Sequence, residues 1–332
     1  MRKHSSTRYR SSRYSGNSEG NSHNRPRKKK KFRIKKSIMK FISTMAVILS
    51  SLMIIGSIAL NSLTKDIGDL NKAMLEGRYM HSEIVKIEDV PQHMKDAVVA
   101  IEDSRFYSHK GVDLLSLIRV LIKNAIYDTS EGGSTLEMQI SKNLVTSSEK
   151  TIERKLKDMK VAHEMNKSMS KDDILQIYLN SIYLNRGATG IKAGARMFFA
   201  KDVSELNLAE SALLAGITKN PSKYAVYNIE DITTKDTLKT LNKKLLFKTV
   251  NESNAKVDEK VANHLLKLNL ISEKQHKLML EGKLIVQKAV LNKDSIARQK
   301  VVLERMKDLN LISKKDFEKA LNTKIVIDTS LR

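Results

Sequence analysis

Apolar positions are spread unevenly along the 332 residues. Phe41 to Leu60 is a run of twenty residues without a formal charge, apolar on every helical face. At about 1.5 Å rise per residue, a helix of that length just crosses a hydrocarbon core of roughly 30 Å, so the pattern predicts a membrane anchor at 41–60. Its five Ser and Thr can return their hydroxyls to the backbone. A cleaved signal peptide is the alternative, with a weak site at Ser57 and Ala59, but the span length and long basic leader favour the anchor. Residues 61–83 read as a connector, and Val90-Pro91 marks a boundary. Beyond it the apolar spacing is helical: Ile152, Leu156, Met159, Val161, Ile174, Leu175, Ile177, Tyr178 and Leu179 between Thr151 and Leu184 follow no strand alternation. Asp172 and Asp173 suit a helix N-terminus. Glycines fall where connections are expected, at Gly132-Gly133 before Ser134 and Thr135, and at Gly187, Gly190 and Gly194. After Tyr227 the chain becomes Lys-rich and amphipathic, and LNLIS occurs twice, from Leu268 and from Leu309, with a turn expected at each Ser. Two copies do not make a solenoid. Residues 229–332 thus read as a helical accessory region without evident chemistry.

Charge changes this picture at the N-terminus. Residues 1–40 carry fifteen Lys or Arg against the single acid Glu19, a composition that predicts a disordered tail. They supply +14 of the formal +23, leaving +9 on the rest. The basic excess before the apolar run predicts a cytoplasmic N-terminus, a single pass through the cell membrane and an extracytoplasmic remainder. The same Lys-rich run is a weak signal for nucleic acid, and beside an apolar span it reads more simply as a headgroup contact, so no nucleic-acid partner is expected. With no cysteine, neither disulfides nor thiol chemistry enter.

Three blocks carry candidate chemistry. In VAIEDSRFYSHKGVD, apolar Val98, Val99 and Ile101 run into Glu102 and Asp103, followed by Arg105, Phe106, His109 and Asp113. A carboxylate at the edge of an apolar helix can accept a proton from a sugar hydroxyl, although paired acids on their own more often make surface salt bridges. In EGGSTLEMQISKN, the Gly, Ser and Thr entering a helix can present donors to an anion, and Gln139 and Lys142 fall near one another on its surface. In KTIERKLKD, Lys150, Arg154 and Lys157 share one helical stripe next to Asp158. Taken singly these are ordinary solvated charges; together they suit a diphosphate, held directly or with a divalent ion. His109 and His163 lack zinc-ligand spacing and read as structural. Glu102 and Asp158 also admit a glycoside hydrolase, with an acid and a base flanking the scissile bond.

In order, EDSRFYSHKGVD, GGSTLEMQISKN, RKLKD, SKDDILQIYLNSIYLNRGATGIKAGARMFFAKD, LNLAESALLAG and NPSKY resemble the peptidoglycan glycosyltransferase domain of monofunctional transglycosylases and bifunctional penicillin-binding proteins, over residues 84–228. The resemblance implies a mainly α, lysozyme-like bilobed glycosyltransferase domain, here behind a single N-terminal transmembrane helix. It implies polymerisation of lipid II into β-1,4-linked strands with inversion and release of undecaprenyl diphosphate. Glu102 is then the general base, with Asp158 the second carboxylate. Ser134, Thr135, Gln139, Lys142, Lys150, Arg154 and Lys157 match positions lining the donor and diphosphate region. A divalent cation, Mg2+ or Mn2+, would reach Asp158 through the diphosphate; no organic cofactor is implied. The implied partners are lipid II, the growing strand, the cytoplasmic membrane and cell-wall synthesis or division proteins.

The chain departs from the family pattern at three positions. Asp158 stands where Glu is usual, one methylene shorter, and Glu137 and Met138 stand where Thr and Gln are usual. Glu137 adds a negative charge that repels a diphosphate unless a neighbouring Lys pairs with it. A weakened enzyme, or an envelope scaffold that binds lipid II, is therefore the second reading, and a lysozyme-like hydrolase the third. Ser168 to Lys171 spells SxxK, but it precedes a helix inside the glycosyltransferase blocks and no KTG follows, so no transpeptidase activity is expected.

Overall fold

The computed structural model describes residues 36–63, 70–79, 84–127, 132–146, 149, 151–250 and 257–331. Residues 1–35, most of the expected disordered tail, lie outside the described residues. The chain divides into two compact units, residues 1–55 and 56–332.

Helix α1 spans Lys36–Leu63. Its described side chains set Ser43, Thr44, Ser50, Ser51, Ser57, Asn61 and Ser62 among Met45, Val47, Ile48 and Ile54. With hydroxyl and amide groups interleaved in this way, no helix among the described residues is long and apolar enough to cross a membrane. This corrects the expected transmembrane anchor at 41–60, and with it the single-pass placement in the cell membrane that rested on it.

The second unit is mainly helical, as expected. Its elements run α2 Lys72–Tyr79, α3 Gln92–Glu102, α4 Leu114–Tyr127, α5 Leu136–Ile140, α6 Ile152–Ser168, α7 Lys171–Ser181, α8 Ile191–Phe199 and α9 Leu208–Ile217. Next come β1 Tyr227–Asp231, α10 Leu238–Leu241, β2 Leu245–Thr249, α11 Glu259–Lys267, α12 Glu273–Leu280, β3 Leu284–Leu291, α13 Lys293–Asp308 and α14 Lys314–Asn322.

The expected helical stretch from Thr151 to Leu184 forms as α6 and α7. Ser170 starts α7 by accepting from the Asp173 amide, while Asp173 accepts from the Ser170 amide, a reciprocal cap that satisfies two otherwise orphaned donors. Ile174 to Ser181 are all buried, which places α7 at the centre of the unit. Helix α9 is buried along nearly its whole length, which accounts for the uninterrupted small and apolar run SALLAGI. The main core joins Met94, Ala97 and Val98 of α3, Leu213, Leu214 and Ile217 of α9, and Val302, Leu303 and Met306 of α13.

Residues 229–332 are not wholly helical. The three strands form an antiparallel sheet in the order β1-β3-β2, with Tyr227 opposite Leu291 and Leu245 opposite Lys288. A second core of Ile232, Leu241, Val261, Leu265, Ile271, Leu284 and Val286 packs beneath it.

Candidate active site

Burial of the apolar face of α3 leaves its last residue, Glu102, half-buried at the helix C-terminus. That end carries the negative pole of the helix dipole, so a carboxylate there needs donors from elsewhere. Gln139 Nε2 on α5 donates to Oε2 at 2.8 Å, and the Thr218 hydroxyl, just past α9, donates to Oε1 at 2.5 Å. The Thr218 hydroxyl also lies 2.8 Å from the Ala215 carbonyl. It has one proton for two acceptors, so it can donate to an ionised Glu102, or accept from a protonated one while turning its own proton to Ala215. Tyr178 on α7 donates to Gln139 Oε1 at 3.3 Å, which fixes the amide with its NH2 toward Glu102. Burial first, and then the negative charges of Glu102 and Asp103, hold the Tyr178 phenol well above its ordinary pKa, so it stays a donor.

The neighbouring acid has a different task. Asp103 is buried, faces His109 Nε2 at 2.8 Å and accepts from the Leu136 amide at 3.2 Å, tying the turn after α3 to the start of α5. Gly111, at φ +92°, closes the same corner: a Cβ there would lie 2.3 Å from the Ala162 carbonyl oxygen on α6. Thr135 caps α5 by accepting from the Met138 amide at 3.3 Å, and donates to the Gly111 carbonyl at 2.6 Å. Ser134 beside it is exposed.

Glu137 and Met138, the departures on α5, are both buried. The charge of Glu137 is met from two helices: Lys171 Nζ of α7 lies 2.7 Å from Oε1, and Asn166 Nδ2 of α6 donates to the same oxygen at 2.7 Å. The Lys171 ammonium also sits 4.4 Å from the Phe106 ring centroid. Lys171 is the last residue of the SxxK spelling and Ser168 the first; Ser168 donates to the Leu70 carbonyl at 2.9 Å. Both side chains are thus engaged in packing the unit.

Asp158 is 2% exposed. Its Oδ1 accepts from Ser141 and Thr146, each at 2.7 Å, and its Oδ2 pairs with Arg154. Ser141 opens a π turn, Ser141–Val145, that continues α5 and brings the two hydroxyls round to Asp158. Arg154 also donates to the Glu149 carbonyl, and Lys157 pairs with Glu153 at 2.9 Å. The expected cationic stripe therefore carries acids of its own. Lys142 is exposed, and Lys150 lies outside the described residues. Both oxygens of Asp158 are thus engaged by protein donors. Among the described residues, Asp103, His109 and Glu137 bring ligand atoms within 4.8 Å of one another, a buried set that can coordinate a divalent cation.

Next to this corner, α4 exposes Leu114, Leu115, Ile118, Ile122 and Ile126, each by more than half, a stripe at helical spacing. Asp113 caps the helix, accepting from the Ser116 amide at 3.0 Å and the Ser116 hydroxyl at 2.6 Å, with Arg105 at 2.9 Å. Burial would raise the Asp113 carboxyl, but the Ser116 hydrogen bonds and the Arg105 charge hold it below the usual carboxylate range.

Sequence reasoning named Glu102 and Asp158 as the two carboxylates and assigned Thr135 and Gln139 to the donor region, and the structure brings Glu102 and Gln139 into contact. It missed Thr218, directly after the apolar run of α9, where a polar residue at the end of a buried helix was the available signal. It also missed Tyr178, which reads as core by periodicity, and Lys171, whose partner lies on another helix.

Residues 69–248 match the Transglycosylase family profile. The chain is 44% identical over 143 residues to penicillin-binding protein 1A of Neisseria lactamica, covering 43% of this chain and 18% of that one. The Neisseria cinerea protein of the same name is 45% identical over the same length and shares. A Cupriavidus necator protein, named provisionally as a transglycosylase, is 42% identical over 140 residues, 42% of this chain and 61% of its own. The matched stretch thus spans less than a fifth of the Neisseria proteins.

Proposed function

The chain belongs to the transglycosylase family of peptidoglycan glycosyltransferases, and on that premise we propose that it polymerises lipid II into β-1,4-linked glycan with Glu102 as the general base. The observation that carries this reading is the cradle of Glu102, whose two oxygens each take one neutral donor, Gln139 and Thr218. Such a carboxylate is oriented and still free to take a proton. It removes the proton of the acceptor sugar's 4-hydroxyl as that oxygen bonds to the donor's anomeric carbon. The bond from that carbon to the phosphate oxygen breaks on the opposite face, inverting the centre, and undecaprenyl diphosphate leaves with the electron pair. The proton ends on Glu102, where Thr218 can accept it in a hydrogen bond.

Ser134, Thr135, Gln139, Lys142, Lys150, Arg154 and Lys157 are assigned to the donor and diphosphate region, where positive charge and hydroxyl donors favour a doubly charged leaving group. A divalent ion, when bound, would neutralise part of the diphosphate charge. The apolar stripe of α4 suits the acyl part of the lipid donor or a lipid surface. Glycan strands and free undecaprenyl diphosphate formed together from labelled lipid II support this reading, whereas fragments cut from finished glycan would support a hydrolase.

The second reading is a weakened, lipid II-binding envelope scaffold. It is favoured by one observation, the closure of Asp158 against Arg154, Ser141 and Thr146. A carboxylate about one ångström out of place can cost on the order of a hundredfold in rate. Under this reading Asp158→Glu raises turnover strongly without changing lipid II binding; under the first it changes turnover little.

A further inference from the structure

Two buried side chains at the active-site corner each hold a polar atom that the protein itself leaves without a hydrogen-bond partner: Oε2 of Glu137 on α5, and Nδ1 of His109 in the turn before α4. Glu137 is 0% exposed and His109 8%, so neither atom meets bulk water. A buried polar atom left bare is costly, and two at one corner call for a common partner. One donor atom from each of Asp103, His109 and Glu137 lies within 4.8 Å of the other two.

The surroundings hold these three residues as the outer contacts of a metal site hold its ligands. Lys171 Nζ and Asn166 Nδ2 both reach Glu137 through Oε1, each at 2.7 Å, which fixes the carboxylate and leaves Oε2 bare. Asp103 is fixed by the Leu136 amide at 3.2 Å and faces His109 Nε2 at 2.8 Å. A neutral imidazole has one N–H and one lone pair, so with Nε2 toward Asp103 and Nδ1 bare, one ring nitrogen is left unserved by the protein. Two carboxylates stand against one ammonium, Lys171, so a cation is the partner that charge favours. A nitrogen donor beside two carboxylates, with no sulfur, suits Zn2+ or Mn2+, whereas Mg2+ and Ca2+ prefer oxygen alone.

We propose that Asp103, His109 and Glu137 form a structural site for a transition-metal dication of the Zn2+ or Mn2+ class, which ties the turn that follows Glu102 to helix α5. The ion satisfies the bare oxygen of Glu137 and the unserved ring nitrogen together. Asp103 follows Glu102 directly, and Glu137 lies two residues before Gln139, so the ion braces both sides of the Glu102–Gln139 contact. The site shares no residue with the Asp158 cluster and takes no ligand from a substrate, which separates it from an ion carried by a diphosphate. It does not rest on the glycosyltransferase reading.

The experiment uses the full chain, refolded from chelator, with Zn2+ as the probe and no lipid II. Bound zinc is counted by equilibrium dialysis against a large excess of Mg2+, and the melting temperature is read with and without Zn2+. Two variants are compared: His109→Gln, and Glu137→Gln with Lys171→Met, which removes the buried pair together so that no charge is left uncompensated. The native chain should take up about one tight equivalent, melt higher with Zn2+ than with Mg2+, and show nitrogen and oxygen neighbours at about 2.0–2.2 Å by zinc-edge X-ray absorption. Both variants should bind zinc about tenfold or more weakly and lose the rise in melting temperature. If the native chain takes up no tight equivalent, the proposal is wrong. It is equally wrong if the double variant, folded by circular dichroism, keeps that equivalent, because the zinc is then an adventitious ion on other side chains.

Discussion

Two side chains at the residue scale show how buried charge is made tolerable here. Glu137 is fully buried and depends on Lys171 for its counter-charge. Breaking a buried pair on one side leaves an uncompensated charge, so Lys171→Met should destabilise the protein by about 3–5 kcal/mol. Adding Glu137→Gln should recover most of that loss, as read from denaturant unfolding of the single and double variants; equal stabilities would show that the pair is not coupled. Asp113 is the second case. Its folded pKa is depressed by Ser116 and Arg105 against the opposing effect of burial, so its contribution is fully present above the unfolded value near 3.9 and is lost as pH falls through the folded value. Asp113→Asn should therefore cost about 1–3 kcal/mol at pH 7, with the difference from the native chain shrinking as pH falls through the depressed folded value. Melting temperatures across pH 2 to 7 check this, and a difference that is flat with pH would contradict it. Glu102, by contrast, takes the neutral donors Gln139 and Thr218, which suits the proton-accepting role proposed for it.

Element-scale patterns explain what could be read from the sequence and what could not. Helices α6 and α7 were legible because both their spacing and their caps are local: Thr151 accepts from the Arg154 amide and Ser170 from the Asp173 amide. The two LNLIS copies were legible for the same reason. In each, an Asn with positive φ, Asn269 at 55° and Asn310 at 57°, ends one helix, and Ser272 or Ser313 caps the next. The sheet was not legible. Strands β1 and β2 are five residues long with mostly exposed side chains, and their pairing with β3 is set by partners far away in the chain. The apolar run in α1 was read by the absence of charge, which gave too little weight to its hydroxyls. The stripe on α4 carries a prediction of its own. Ile118→Ser with Ile122→Ser should weaken binding to lipid vesicles about tenfold or more, since each exposed apolar side chain is worth about 1 kcal/mol or more when covered. The melting temperature should hardly move, because both side chains are already exposed in the fold. Unchanged vesicle binding would remove the lipid-facing role of α4.

On the scale of the whole molecule, the core behind the site draws on elements from both ends of the second unit. Glu102 comes from α3 and its donors from α5 and the end of α9, and α13 shares the core of α3 and α9. The ordered motifs pointed to the first of these because family blocks are contiguous in sequence. Helix α13 left no comparable signal: it lies far along a Lys-rich segment, and only the packing of Val302, Leu303 and Met306 brings it onto the α3–α9 core. The C-terminal region is in this sense part of the same core as the helix that carries Glu102. The measurement that tests the central claim most directly is a single-turnover transfer from labelled lipid II by the native chain and by Glu102→Gln, with lipid II binding measured in parallel. The account predicts equal binding within about twofold and a loss of transfer of about 10²-fold or more in the variant; transfer by Glu102→Gln at the native rate would contradict it.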